Sequence, residues 1–346
     1  MKSLKLFLFS AFCVLVCITV SAKTQTVNAL SFWGFLDNPK IAQLIQEKCN
    51  VKFSHDTYWT NSEFLSTYKQ RSSEYDVIIL SNLIYGSVKE QLPRFNSNLW
   101  KRSDNYYPYI KDYYLSHNYG KNTAFFTHAM VGFMYNPTNI KITAEQNIFD
   151  IFKNAKNNDV VLVDDSGEIG SMLTEAYKKK YKIKTQTKLS YNNLKNLTQD
   201  THVYITSDFG KVYDNPKFAF AYIWSGDAMK YIKNSKKPYK FIMPLNATSI
   251  CTDIIIQMKN NASTECVAKA LTSSEFLKYF ENDTYYFSPY FKNDVNDPLY
   301  DQIYQQAKDN LSKFNMIQPV HDFNDYYDSQ WSEVKVKYLE LLSGEK

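Results

Sequence analysis

The sequence predicts an α/β protein of two lobes, and three observations carry that reading. Strand and helix patterns alternate from the start of the mature chain. An apolar run near residue 160 ends in acids and glycines and opens a second unit of the same kind. The chain has 346 residues, beyond the roughly 250 to 300 at which a single core tends to split.

The first segment is an address rather than part of the fold. Lys2 and Lys5 flank the start of an apolar run from Leu6 to Val20, and Val20-Ser21-Ala22 suits cleavage before Lys23. Residues 1–22 read as a secretory signal cleaved after Ala22. Cys17 follows Val16, which is larger than the residue lipoprotein processing usually requires, so a soluble exported form is favoured. Losing the two lysines lowers the formal charge from +5 to +3, too mild a balance to argue for nucleic acid. No later segment offers the roughly 18 uninterrupted apolar residues a membrane span needs. Cys49, Cys251 and Cys266 remain after processing. An odd number permits at most one internal bridge and leaves a thiol over, without fixing which, and the spacings match no zinc or redox motif.

Val27 to Trp33 reads as the first strand, and Asp37-Asn38-Pro39 supplies a cap and a proline for the helix carrying Ile41, Leu44, Ile45 and Cys49. Val51 to His55 is a second strand. Asn61 or Ser62 caps a helix with Phe64, Leu65 and Tyr68, and Tyr75 to Ser81 is a third, apolar strand. This βαβαβ order builds a parallel sheet whose strands open on one edge, which makes Trp33, Gly34, Ser81 and Asn82 rim candidates. Residues 104–120 crowd six tyrosines around Pro108, a cluster that packs a surface loop or stacks on a ligand. Met130 to Tyr135 followed by Asn136-Pro137 suits a first crossing between lobes, and Met243-Pro244 with Asn246-Ala247-Thr248 a second.

The chemistry concentrates at strand ends. Val160 to Val163 hands over to Asp164-Asp165-Ser166-Gly167-Glu168, where a helix carrying Met172, Leu173 and Ala176 begins. Asp165 and Glu168 have the Asp-x-x-Glu spacing of a capping box. Carboxylates at this switch also favour a cation, since ligands collect at the carboxyl ends of strands in open α/β sheets. Tyr222-Ile223-Trp224-Ser225-Gly226-Asp227 ends another strand. Trp224 offers a cation–π face, and Asp227 suits a helix cap. Asp253 stands inside Ile250-Cys251-Thr252-Asp253-Ile254-Ile255-Ile256, where an unpaired charge is costly and calls for a lysine, a water or a ligand. Thr284 to Phe291 is an aromatic run, and helical patterns near 297–314 and 327–343 finish the chain.

Dinucleotide, P-loop, zincin, nucleophile-elbow and Cys-x-x-Cys motifs are absent, and the five histidines are scattered. An exported hydrolase with a triad assembled in space stays open as an alternative.

The order of these signals resembles the periplasmic solute-binding proteins of ABC transporters, in particular the spermidine/putrescine-binding branch, over most of the mature chain. The likeness rests on Trp33, Asp56-Thr57-Tyr58, Tyr75-Asp76-Val77, Gly132-x-x-Tyr135-Asn136, Asp164-Asp165-x-x-Glu168, Trp224-Ser225-Gly226-Asp227, Asp253 and Tyr285-Tyr286-Phe287-Ser288-Pro289. It implies a type II-like fold with hinge strands and a ligand cleft. One lobe takes 26–133 plus 250–292, and the other 136–247 plus 293–346. It implies a monomer in the periplasm, with an inner-membrane permease as partner, no cofactor and no catalysis. By motif position Asp165, Glu168 and Asp253 match the carboxylates that bind ammonium groups, and Trp33, Trp224 and Tyr286 the aromatic walls. The chain departs from the family at Cys251, where an aromatic is frequent, and at Phe35-Leu36, where an acidic-Tyr pair is frequent. A carbohydrate stacked on tyrosines, or a ferric ion held by Tyr285 and Tyr286, is the alternative for the same fold.

Overall fold

The computed structural model describes residues 24–182, 187–206, 210–290 and 295–343; the signal segment, Cys17 and Phe291 lie outside the described residues. The chain opens with β1 (Thr26–Phe32), α1 (Pro39–Cys49), β2 (Lys52–Tyr58), α2 (Asn61–Arg71) and β3 (Val77–Ser81). β1 pairs in parallel with β2 on one side and with β3 on the other, so the patterned βαβαβ unit forms. Asn38 caps α1 by accepting from the Lys40 N–H, with Pro39 in the first helical turn. The cap of α2 is Thr60 rather than Asn61 or Ser62. Its hydroxyl accepts from the Glu63 N–H at 3.1 Å while the Glu63 carboxylate takes the Trp59 N–H at 2.7 Å. This is a Thr-x-x-Glu pattern in which both ends satisfy otherwise orphaned donors. Asn61, relieved of capping, is buried and turns its side chain inward.

After α3 (Asn82–Val88), the tyrosine-rich stretch forms a helix, α4 (Pro108–Ser116), and not a surface loop. Tyr106, Tyr113, Tyr114 and Tyr119 gather their rings around Phe125. Their hydroxyls find partners such as the Thr123 and Phe125 carbonyls, which makes burial of so many phenols tolerable. β4 (Thr123–Tyr135) follows, then α5 (Ile148–Asn154), β5 (Asp159–Leu162), α6 (Ser166–Tyr181), α7 (Tyr191–Thr198), β6 (His202–Ile205) and α8 (Gly210–Tyr213). The chain continues through β7 (Phe218–Trp224), α9 (Ser225–Asn234), β8 (Lys240–Ile242), β9 (Ser249–Gln257), α10 (Ala262–Leu271) and α11 (Ser274–Thr284). It ends in α12 (Pro298–Asn310), β10 (Asn315–Met316) and α13 (Trp331–Ser343). No helix among the described residues is long and apolar enough to cross a membrane.

The strands join in the order β2-β1-β3-β9-β4-β7-β5-β6, with β10 on β9 and β8 on β4. Two parallel trios, β2-β1-β3 and β7-β5-β6, are linked by the antiparallel strands β9 and β4. β4 pairs with β9 from Thr123 to Val131 and with β7 from Val131 to Tyr135, so a single strand passes from one half of the sheet to the other. Cys49 at the end of α1 is bonded to Cys266 in α10, closing 217 residues of chain, and Cys251 is the buried free thiol.

Candidate functional site

A cavity of about 40 Å³ opens where the carboxyl ends of the two parallel trios approach each other. Phe32 ends β1, Tyr58 ends β2, Ser81 ends β3 and Trp224 ends β7; Asp165 and Glu168 come from the start of α6, and Cys251 and Asp253 from β9. Phe35, Asn61, Ala129 and Tyr286 complete the lining, and none of the lining residues is basic.

Asp165 caps α6, its carboxylate accepting from the Glu168 N–H at 2.9 Å, and Asn61 approaches both of its oxygens at 3.3 and 3.5 Å. The reciprocal half of a capping box is not formed. Glu168 instead points its carboxylate into the cavity, where Oε1 accepts from the Trp224 indole at 3.1 Å and Oε2 is buried without a hydrogen-bond partner. The Asp253 side chain makes no hydrogen bond or ion pair with any described residue, so the lysine partner an acid in an apolar strand invites is not supplied among them. Burial pushes all three carboxyls upward: Asp253 to about 7, and Asp165 and Glu168 as a pair, each raised first by desolvation, with the Asp165 charge pushing Glu168 further. The Cys251 thiol is pushed up by the same burial and by the neighbouring Glu168 and Asp253 charges. An ionised buried acid with no counter-charge is costly, and either a proton or an external cation would remove that cost.

Aromatic rings form the other walls. Tyr286 donates to the Asp227 carboxylate at 3.0 Å, so Asp227 serves that phenol rather than capping α9. Gly226 makes this approach possible, since a Cβ there would lie 2.5 Å from the Thr284 carbonyl oxygen and 3.0 Å from the Tyr286 ring. Phe32 and Phe35 come together through a tight turn in which the Phe35 N–H donates to the Phe32 carbonyl at 3.2 Å and Gly34 adopts φ +82°. This is the demand of a type II turn on its third residue. The turn brings the two rings to 5.5 Å and leaves Trp33 outside.

The expected site residues therefore divide. Ser81, Asp165, Glu168, Trp224, Asp253 and Tyr286 share the cavity wall. Trp33 does not line it: half-exposed, it stacks on Trp59 with ring centroids 4.3 Å apart. Gly34 acts through the turn just described. Asn82 is buried behind the rim, bonded to Tyr113, Tyr119 and the Ile317 carbonyl. Phe32, Phe35, Tyr58, Asn61, Ala129 and Cys251 also line the cavity, although the sequence reading did not select them. For Phe35 the signal was present in the strand-ending Trp-Gly, which forces a turn. Tyr285 and Tyr286 diverge, the Tyr285 hydroxyl accepting from Lys233 at 2.7 Å, so the two phenols do not converge as a ferric pair would. Among the described residues no three His, Cys, Asp or Glu side chains are grouped to hold one metal ion.

No protein-family model and no curated protein sequence matches the chain. Solved structures match it in fold. The spermidine/putrescine ABC transporter substrate-binding protein PotD of Streptococcus pneumoniae, in complex with calcium and HEPES, superposes with a TM-score of 0.68 at 17% identity, covering 91% of this chain and 99% of that one. The protein MotA of A. tumefaciens, in complex with glucopine, gives 0.65 at 12% identity over 90% and 100%. Iron-bound HitA of Pseudomonas aeruginosa gives 0.61 at 11% over 91% and 99%. Proteins with such different ligands share one architecture, and at these identities it is the architecture that is shared: the chain has the two-lobe fold of ABC-transporter substrate-binding proteins.

Proposed function

We propose that this protein is an extracytoplasmic solute-binding protein that captures a small cation, a polyamine such as putrescine or spermidine, and delivers it to the permease of an ABC transporter. The observation that carries the reading is the set of three carboxylates, Asp165 and Glu168 buried and Asp253 half-buried, facing a cavity whose wall contains no basic residue. A polyamine is the complementary guest, with ammonium groups for the acids and methylenes for the aromatic walls. The Trp224 indole adds a cation–π surface worth about 0.5 to 2 kcal/mol, depending on desolvation. Absence of any lysine, arginine or histidine from the wall disfavours ligands that carry a carboxylate of their own, and the narrow, mostly apolar space disfavours a sugar ring. The one thiol in the cavity, Cys251, is held protonated by burial and by the neighbouring Glu168 and Asp253 charges, the opposite of an activated nucleophile.

In this reading the protein works as a monomer in the periplasm after removal of residues 1–22, without a cofactor. The lobes divide near 133–136 and 247–250 and close about β4 and β9 over the ligand. The test is Asp253→Asn. Stripping one partner from a buried ion pair costs about 3 to 5 kcal/mol, so putrescine affinity measured by calorimetry should fall roughly a hundredfold or more, with the circular-dichroism melt showing an intact fold. Unchanged affinity would remove Asp253 from the site and leave the cationic reading without its main support.

A further inference from the structure

Resting on the solute-binding reading, we infer that the cleft is built for a ligand with two N–H-bearing cationic heads, so that it selects a diamine over a triamine, a monoamine or a quaternary ammonium ion. The argument counts unsatisfied acceptors. Asp165 is already engaged by the α6 backbone and by Asn61. Glu168 has one oxygen taken by Trp224 and the other buried without a hydrogen-bond partner, the weakly donating Cys251 thiol being its polar neighbour. The half-buried Asp253 side chain makes no hydrogen bond or ion pair among the described residues. Two carboxylates are thus left wanting a hydrogen-bond donor, one from the α6 side and one from β9. Among the described residues they are not grouped with a third ligand around a single point, as a lone metal ion would need.

A third ammonium would meet no further free acid. The rest of the wall is uncharged, and Asp227, behind Tyr286, is engaged by that residue's hydroxyl. A charged group held there would be desolvated without a partner, or the chain would have to protrude into water. Quaternary ammonium ions suit aromatic faces, but they bring no N–H. Binding one would leave the buried Glu168 Oε2 as unsatisfied as before, and an unsatisfied buried acceptor is expensive.

Calorimetric titration in one buffer with putrescine, spermidine, butylamine and tetramethylammonium tests the count. Putrescine should bind at least tenfold more tightly than each of the other three. Spermidine equal to or tighter than putrescine overturns the inference while leaving the polyamine reading standing, and so does butylamine or tetramethylammonium equal to putrescine. If none of the four binds, the proposed function fails and the inference fails with it. Glu168→Gln provides an independent arm: it should reduce the advantage of putrescine over butylamine at least tenfold, and an unchanged advantage overturns the assignment of a head to Glu168.

Discussion

Asp253 shows how a single side chain ties stability to binding. Burial raises its pKa from 3.8 to about 7, so the folded protein holds the proton more tightly than the unfolded chain does. The stability that Asp253 contributes is complete below its unfolded value and is lost as pH rises through about 7. Binding of a cation runs the other way, because the cation selects the ionised carboxylate and expels the proton. Putrescine affinity is therefore expected to be at least tenfold weaker at about pH 5.5 than at about pH 8. Over the same interval the thermal midpoint of the ligand-free protein should decline. Calorimetry in buffers of different ionisation enthalpy would register proton release on binding, and a pH-independent affinity would count against an acid-lined site. The acids were legible in the sequence because charge is out of place where they stand: Asp253 interrupts an apolar strand, and Asp165 and Glu168 end one. Their surroundings were not legible, since no local pattern says that Glu168 will bond to Trp224, 56 residues away, instead of completing its own cap.

At the scale of elements, strands and helices follow the apolar periodicities closely, and the differences come from turn and cap chemistry. The aromatic walls were hidden for a related reason. Phe32, Phe35 and Tyr58 are apolar residues at strand ends, and periodicity assigns them to the core as readily as to a cleft. Phe32 and Tyr58 are register partners across β1 and β2, so alternation turns their neighbours Trp33 and Trp59 to the other side, where they stack. Gly34 then folds Phe35 back over Phe32. Its positive φ is the reason a side chain is unwelcome there, because a Cβ would meet open space and no clash. Gly34→Ala should thus lower stability by about 1 kcal/mol through backbone strain alone, measurable as a shift in the denaturant midpoint. It should weaken ligand binding through the displaced Phe35 ring. A neutral Gly34→Ala would mean that the turn does not hold the wall in place.

The whole molecule explains why residues so far apart in sequence meet. Two parallel trios present their carboxyl ends to one another, and β4 and β9 run between them, so one cavity collects side chains from residue 32 to residue 286. The two-lobe class was readable from length and from the repeated strand–helix alternation. The pairing of Cys49 with Cys266 was not, because three cysteines allow three bridges and only the packing of α10 on α1 selects one. With no basic side chain in the wall, the central proposal is that the charge balancing the ionised acids arrives as ligand. Native mass spectrometry of the purified exported protein, before and after addition of putrescine, tests it most directly. The account predicts a one-to-one complex heavier by the mass of a polyamine, either co-purified or formed on addition and abolished by Asp253→Asn. A spectrum showing only the bare chain at saturating putrescine, or a retained anionic or sugar ligand, would contradict it.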